Sequence, residues 1–450
     1  MSRRRRFPLL PVLALVLAAT GVVGTLDRPS NPSVQPSVLA AGNKVESTAL
    51  YCTGLTSAKY GAVGRVTLIN TTGESRGVTV SASSNTGQRW TTELHVAGYS
   101  SQVIRPGDQL TGDSYGLTAL VGGGGVIGVV STTARGAEAP CITTGETTWY
   151  AAGFDTTVGS NAALSIYNPT ATPAVLNVTT YSSSGFNAPA PFQGLSVGPH
   201  AQVRLDLGTQ IVATPNVGVR VNVLRGVVDV VGVQRSGSRV SFNSGSTAET
   251  TAVLFPRVTT ANNAVAQIRV ANPGPLPADV TLRVALAPYK VSPLVETVPA
   301  YSSALIKVTP NPAIPAAGYA SVQMSSTQPV FTALATGTSA GTWLSPPGTL
   351  SARYLISDIY GQGYDAAALS NVSSHSAKVD ALIMDRPGQT PSRHSATLGA
   401  NSTEDFTSLF GQDLKGKIVM LVAGAPVLQV TLTLPTNPIG GIVIEPLDGR

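Results

Sequence analysis

The sequence predicts an all-β protein, built as tandem immunoglobulin-like β-sandwich modules behind an N-terminal membrane or signal segment. Three observations carry this. Val, Thr, Ser, Ala and Gly dominate, only 12% of residues are charged, and Gly and Pro number 46 and 32; β-branched and turn residues on this scale favour strands over helices. A basic cluster opens the chain and is followed at once by an apolar run. One sequence pattern then recurs with a period near 100 residues.

The N-terminal segment, residues 1–26, begins with Arg3 to Arg6 and continues as FPLLPVLALVLAATGVVGTL from Phe7 to Leu26. A basic flank before an apolar stretch is an export signal, and its length also suits an uncleaved anchor with the arginines left in the cytoplasm. Residues 27–45 carry Pro29, Pro32 and Pro36 with no periodicity and read as an extended stalk. The expected location is therefore extracytoplasmic, tethered by Phe7–Leu26 or released after its cleavage.

Export reinterprets the net charge of +6. Five of the 29 basic residues and one of the 23 acidic ones fall in the first 28 positions, so the remainder is nearly neutral. No nucleic-acid partner is expected. Export also bears on Cys52 and Cys141: a cysteine pair outside the cytoplasm reads as a disulfide rather than a metal or redox site.

The repeat divides the rest of the chain into four modules, at 46–145, 146–249, 250–349 and 350–450. Aligned copies are VTLINTTGESRGVTVSA from Val66, LSIYNPTATPAVLNVTT from Leu164, IRVANPGPLPADVTLRV from Ile268 and AALSNVSSHSAKVDALI from Ala367. Their shared asparagines, Asn70, Asn168, Asn272 and Asn371, are 98, 104 and 99 residues apart. That period is too long for a solenoid and suits a self-contained sandwich. The fourth copy is the weakest, lacking the proline and the clear alternation.

Alternation assigns a role to the asparagine. Ile268, Val270 and Asn272 share one face of a strand, with Gln267 and Arg269 on the other. A core-facing amide at a strand end can satisfy the backbone of the following loop, as in an Asx-turn. Pro169 and Pro273 then set the exit direction. His200 shares a turn position with Tyr99, Tyr301 and Asn401.

ESTALYC (Glu46 to Cys52), WYAAGFD (Trp149 to Asp155), the Asn-Pro strand ends and SSGFNAPAPFQGLSVGPHAQVRLDL (from Ser183) resemble an uncharacterised family of exported actinobacterial proteins, a domain of unknown function. The resemblance implies a secreted or membrane-anchored envelope protein of β-domains. It supplies no activity and no functional residue.

Nothing in the sequence carries a catalytic signature, and no cofactor or metal is expected. The four histidines lack paired ligand spacing. Gly122–Gly125 precedes an apolar strand rather than a Lys-Ser/Thr helix start, and reads as a hairpin turn. An enzyme would have to draw on Asp358, Asp365, Asp380, Asp385, Glu404 and Asp405 as paired carboxylates for glycan hydrolysis. Trp90, Trp149 and Trp343 are candidate contact aromatics for a sugar, or else packing at module joints. The function expected is a non-catalytic envelope scaffold, with envelope proteins or cell-wall glycan as partners.

Overall fold

The computed structural model describes residues 38–447 apart from 42–46, 61–62, 134–137, 238, 262–263, 287, 339–340, 346–350, 358–365, 386–387, 426, 435–436 and 441. The apolar segment Phe7–Leu26 and the stalk up to residue 37 lie outside them. Among the described residues no helix is long and apolar enough to cross a membrane.

The chain is nearly all strand, arranged in sheets that pair around shared cores. The strands fall into four successive segments with one common plan. In the first, Ser47–Thr56, Ser114–Gly122, Arg76–Ser84 and Arg89–Val96 form a front sheet in that spatial order. Ser101–Ile104, Gly64–Asn70, Val126–Thr132 and Glu138–Pro140 form a back sheet. By chain position the front sheet runs first, sixth, third, fourth, and the back sheet fifth, second, seventh, eighth. Alternation places Leu50, Val80 and Leu117 of the front sheet against Val66, Leu68 and Val130 of the back sheet in one buried core.

The same order returns in the second segment, from Thr148–Phe154 to Arg239–Asn243, and in the fourth, from Arg353–Ser357 to Asn437–Gly440. The third differs in one way. Its sixth and seventh strands are one continuous strand, Tyr319–Thr338, whose first half pairs in the front sheet and second half in the back sheet. Strand Ile442–Leu447 then extends the fourth front sheet beside Arg353–Ser357 and pairs in parallel with Val38–Ala41.

This topology corrects the reading of Gly122–Gly125 as a hairpin turn. The strands it joins, Ser114–Gly122 and Val126–Thr132, lie in different sheets, so the glycines form a crossover between layers. Gly123 and Gly125 take φ of 83° and 86°, open to glycine at little cost. The strands flanking each repeat asparagine likewise belong to opposite sheets.

Successive segments are joined face to face. The outer face of the front sheet packs on the outer face of a neighbour's back sheet at three joints, first on second, second on third and fourth on first, and faces it across a cleft between third and fourth. Leu355, Met384, Ile418 and Met420 of the fourth bury Ile69, Ile127 and Val129 of the first in one apolar cluster. The Gly388 N–H donates to the Tyr99 carbonyl across this joint at 2.9 Å. The four segments thus form a closed cycle of contacts, in which neither end segment leaves an outer sheet face without a neighbour.

Candidate functional site

Each repeat asparagine is consumed by its own fold. Asn272 is fully buried, and its Nδ2 donates to the carbonyls of Leu276 (2.8 Å), Val298 (3.2 Å) and Pro299 (3.0 Å). Its Oδ1 accepts from the Gly274 N–H at 3.0 Å. Two crossovers between layers are tied by one amide: the loop after the second strand and the one between the fourth and fifth. Asn70, Asn168 and Asn371 repeat this pattern, the first and last without a following proline. The turn position shared by Tyr99, His200, Tyr301 and Asn401 has φ between 49° and 54° in all four. This left-handed conformation lets each N–H bond back to the asparagine loop, as Tyr99 does to the Thr72 carbonyl at 2.8 Å.

Cys52 and Cys141 form a disulfide, both fully buried, between the first and eighth-strand regions of the first segment.

The residue before each asparagine points the opposite way, into a joint, and faces one residue of the seventh strand. The four cross-strand pairs are Ile69 with Ile127, Tyr167 with Asp229, Ala271 with Phe331, and Ser370 with Gln429. Three of them fill their joints. The Ile pair packs in the apolar cluster already described. Tyr167 lies on Gly116 and its hydroxyl pairs with Thr118 Oγ1 at 2.8 Å, beside a buried network of Thr53, Ser165 and Gln202. Phe331 packs against Tyr150 and Tyr181, with ring centroids 5.3 and 5.8 Å apart. Burial at this joint, with Glu249 nearby, pushes the Tyr150 phenol up to about 12.

The fourth pair does not fill its joint. Ser370 and Gln429 border a cleft of about 590 Å³ between the front sheet of the third segment and the back sheet of the fourth. Among the described residues two polar links cross it: Gln429 Nε2 donates to the Leu254 carbonyl at 2.9 Å, and Arg257 pairs with Asp405. Hydroxyl and amide side chains share its walls with alanines, valines, Leu254 and Phe331, and Arg283 stands among them. No carboxylate lines the cleft among the described residues, and Arg283 takes part in none of their ion pairs. A cavity of this size with a few convergent polar groups has the form of a ligand site.

The candidate aromatics lie elsewhere. Trp149 is corrected as a contact residue: it is 2% exposed, within strand Thr148–Phe154, in a core shared with Ala335 and Leu344 of the third segment. Its indole N–H donates to the Ser244 carbonyl, which leaves no face for a sugar. Trp90 is half-buried against the first core, within strand Arg89–Val96. Trp343 belongs to strand Gly341–Ser345, opposite Thr336. An exposed aromatic pair does exist, of which the repeat marks only Tyr301: Phe186 and Tyr301, 60% and 41% exposed, have centroids 5.6 Å apart across the second and third segments.

Of the acids proposed for hydrolysis, those among the described residues are engaged singly with basic partners or exposed. Asp358 and Asp365 lie outside the described residues. Asp380 is held below the usual carboxylate range by hydrogen bonds from Arg393 and Ser395, the opposite of what a general acid needs. Asp385 pairs with Lys417 at 3.3 Å, Asp405 with Arg257, and Glu404 is exposed. No group of three or more His, Cys, Asp or Glu suited to a metal occurs among the described residues.

These features define an all-β protein of paired sheets, stapled by one disulfide and carrying a polar cleft at one joint. Residues 125–408 match the model of a family of unknown function, DUF5719, and the chain belongs to that family. The matched region contains the second and third segments whole and parts of the first and fourth. No curated protein matches. Among solved structures, a tetra-tandem repeat from the extending region of a large adhesion protein is 11% identical, with 88% of this chain and 99% of that chain covered and a TM-score of 0.12. A likeness that slight carries no argument.

Proposed function

We propose that the protein is a non-catalytic scaffold of the cell envelope, an exported body of four immunoglobulin-like sandwich modules. Phe7–Leu26 anchors it to the membrane or directs its release, as in an exported actinobacterial family. The observation that carries this reading is the closed cycle of sheet-face joints. A chain whose repeated residues are spent on its own crossovers, and whose outer sheet faces are spent on one another at three of four joints, presents a fixed set of outward loops to its partners. The disulfide supports the extracytoplasmic part.

The test is made in intact cells with the full-length chain. Impermeant thiol reagent and external protease are applied with and without reductant. The expected result is an envelope protein whose cysteines react only after reduction. Free cysteines in a cytoplasmic fraction would overturn the reading. A second reading, binding of wall or surface glycan, is favoured by the exposed pair Phe186 and Tyr301. Retention on purified wall that falls in Phe186→Ala, with unchanged melting, would support it.

A further inference from the structure

We propose that the cleft between the third and fourth segments is a binding site for a short oligosaccharide bearing a carboxylate. The inference stands on the cleft alone, apart from the exposed pair Phe186 and Tyr301 and from the scaffold reading.

The first argument is comparative. All four joints use the same sheets in the same order, so one structural position can be followed round the cycle. The pair ahead of the asparagine is Ile–Ile, Tyr–Asp and Ala–Phe where the joint is filled, and Ser370–Gln429 where it is open. The facing sixth-strand residue also changes. Gly116 and Gly218 make room for Tyr167 and for Ala271 with Phe331, whereas the third segment has Ser321. Small polar residues thus stand on both walls at the place where the other joints bury apolar or aromatic bulk. A joint selected only for rigidity has a filled solution available in each of its three neighbours.

The second argument is chemical. The walls offer the Ser321 hydroxyl and the exposed Gln323 amide, while on the opposite wall the Ser370 and Thr403 hydroxyls bond to each other at 2.7 Å and the Gln429 Nε2 is held by the Leu254 carbonyl. These groups both donate and accept, as sugar hydroxyls require. Between them Ala252 and Ala285 give small apolar surface for the C–H faces of a ring. Among the described residues no carboxylate lines the cleft to attract a cation. Arg283, exposed and outside every ion pair among the described residues, offers a planar fork for a carboxylate. Two of the nearby acids are engaged, and Glu404, beside Thr403, is exposed but does not line the cleft. Asp405 is paired with Arg257, and Glu249 interacts with Tyr150 at the preceding joint. The volume of about 590 Å³ holds a few sugar rings and excludes a folded partner.

The test is calorimetric titration of the full-length chain with trigalacturonate, and with maltotriose as a neutral probe of similar size. Saturable one-site binding of trigalacturonate is expected, with maltotriose weaker. Arg283→Ala should weaken trigalacturonate by about tenfold or more, the loss of a charge-assisted contact, without lowering the melting temperature, because Arg283 is exposed. Ser321→Trp should abolish binding by filling the cleft. Should that variant not fold, Gln323→Ala replaces it, with weakened binding of both probes expected. The proposal is overturned by absence of saturable binding, by equal affinity for both probes, or by an Arg283→Ala variant that binds like the parent. Phe186→Ala is assayed in parallel: a loss there with the cleft variants unaffected assigns binding to the exposed pair and also overturns the proposal.

Discussion

Tyr167 occupies the space that a side chain at position 116 would need: a Cβ added to Gly116 would meet the ring at 2.2 Å. The first joint is thus built by a tyrosine of one segment seated on a glycine of its neighbour. The ring is 1% exposed and its hydroxyl bonds to Thr118. Gly116→Val must displace the ring or push the sheets apart, at a cost of about 1–3 kcal/mol for overpacking. A lowered urea midpoint, partly restored by Tyr167→Ala in the same chain, is the expected outcome. Additive losses in the double variant would refute the contact as the cause.

Asn272→Ala removes a donor from three carbonyls and an acceptor from one N–H. The amide has only two protons for the carbonyls of Leu276, Val298 and Pro299, so one bond is shared. Loss of a buried, fully satisfied group of this kind costs about 2–3 kcal/mol. Asn272→Asp should be worse than Ala, since a carboxylate offers the carbonyls no proton and faces their negative ends. Thermal melting of the two variants checks both the loss and the order. If Asp melted with the parent, donation by Nδ2 would not be the cause.

The asparagine was legible because four crossovers need the same amide, and alternation alone placed it on the core face. The crossover itself was not. Two alternating runs separated by a turn look alike whether the second strand pairs with the first or enters the opposite sheet. Trp149 was visible as a residue near a boundary, but its indole is covered by Ser244 and Gly245, about 95 residues away. The cleft was hidden for a related reason. Its wall residues lie on outer strand faces, where the four copies carry Ile, Tyr, Ala and Ser at one position. Without the register of the second and seventh strands, that variation reads as noise. The clue available was Arg283, a charge that alternates with the buried Leu282 and Val284 in a chain poor in charge.

The Cys52–Cys141 disulfide closes a loop of 89 residues that contains most of the first segment. In the chain-entropy account its contribution is about 4–5 kcal/mol. Reduction, or Cys52→Ser with Cys141→Ser, should lower the urea midpoint of the first segment first. Limited proteolysis should then cut between residues 52 and 141 before it cuts the third segment. Simultaneous cleavage everywhere would mean that the four segments unfold as one unit.

Asp229 gives a pH dependence with a definite sign. Its carboxyl is buried in the first joint opposite Tyr167, and desolvation raises its pKa well above the ordinary carboxylate range, with Glu146 adding to the rise and an N–H from Val230 opposing it. Glu146 is raised as well, by burial. In the unfolded chain both lose their protons near the ordinary carboxylate pKa; in the folded chain they hold them to higher pH. The folded state therefore binds more protons across that window, and stability falls as pH rises from the unfolded value through the folded one. Asp229→Asn keeps the shape and removes this proton uptake. The stability of the parent relative to the variant should decline as pH rises above about 4, measured as the difference in urea midpoint. Parallel curves for the two chains would show that the carboxyl of Asp229 is already ionised in the folded protein.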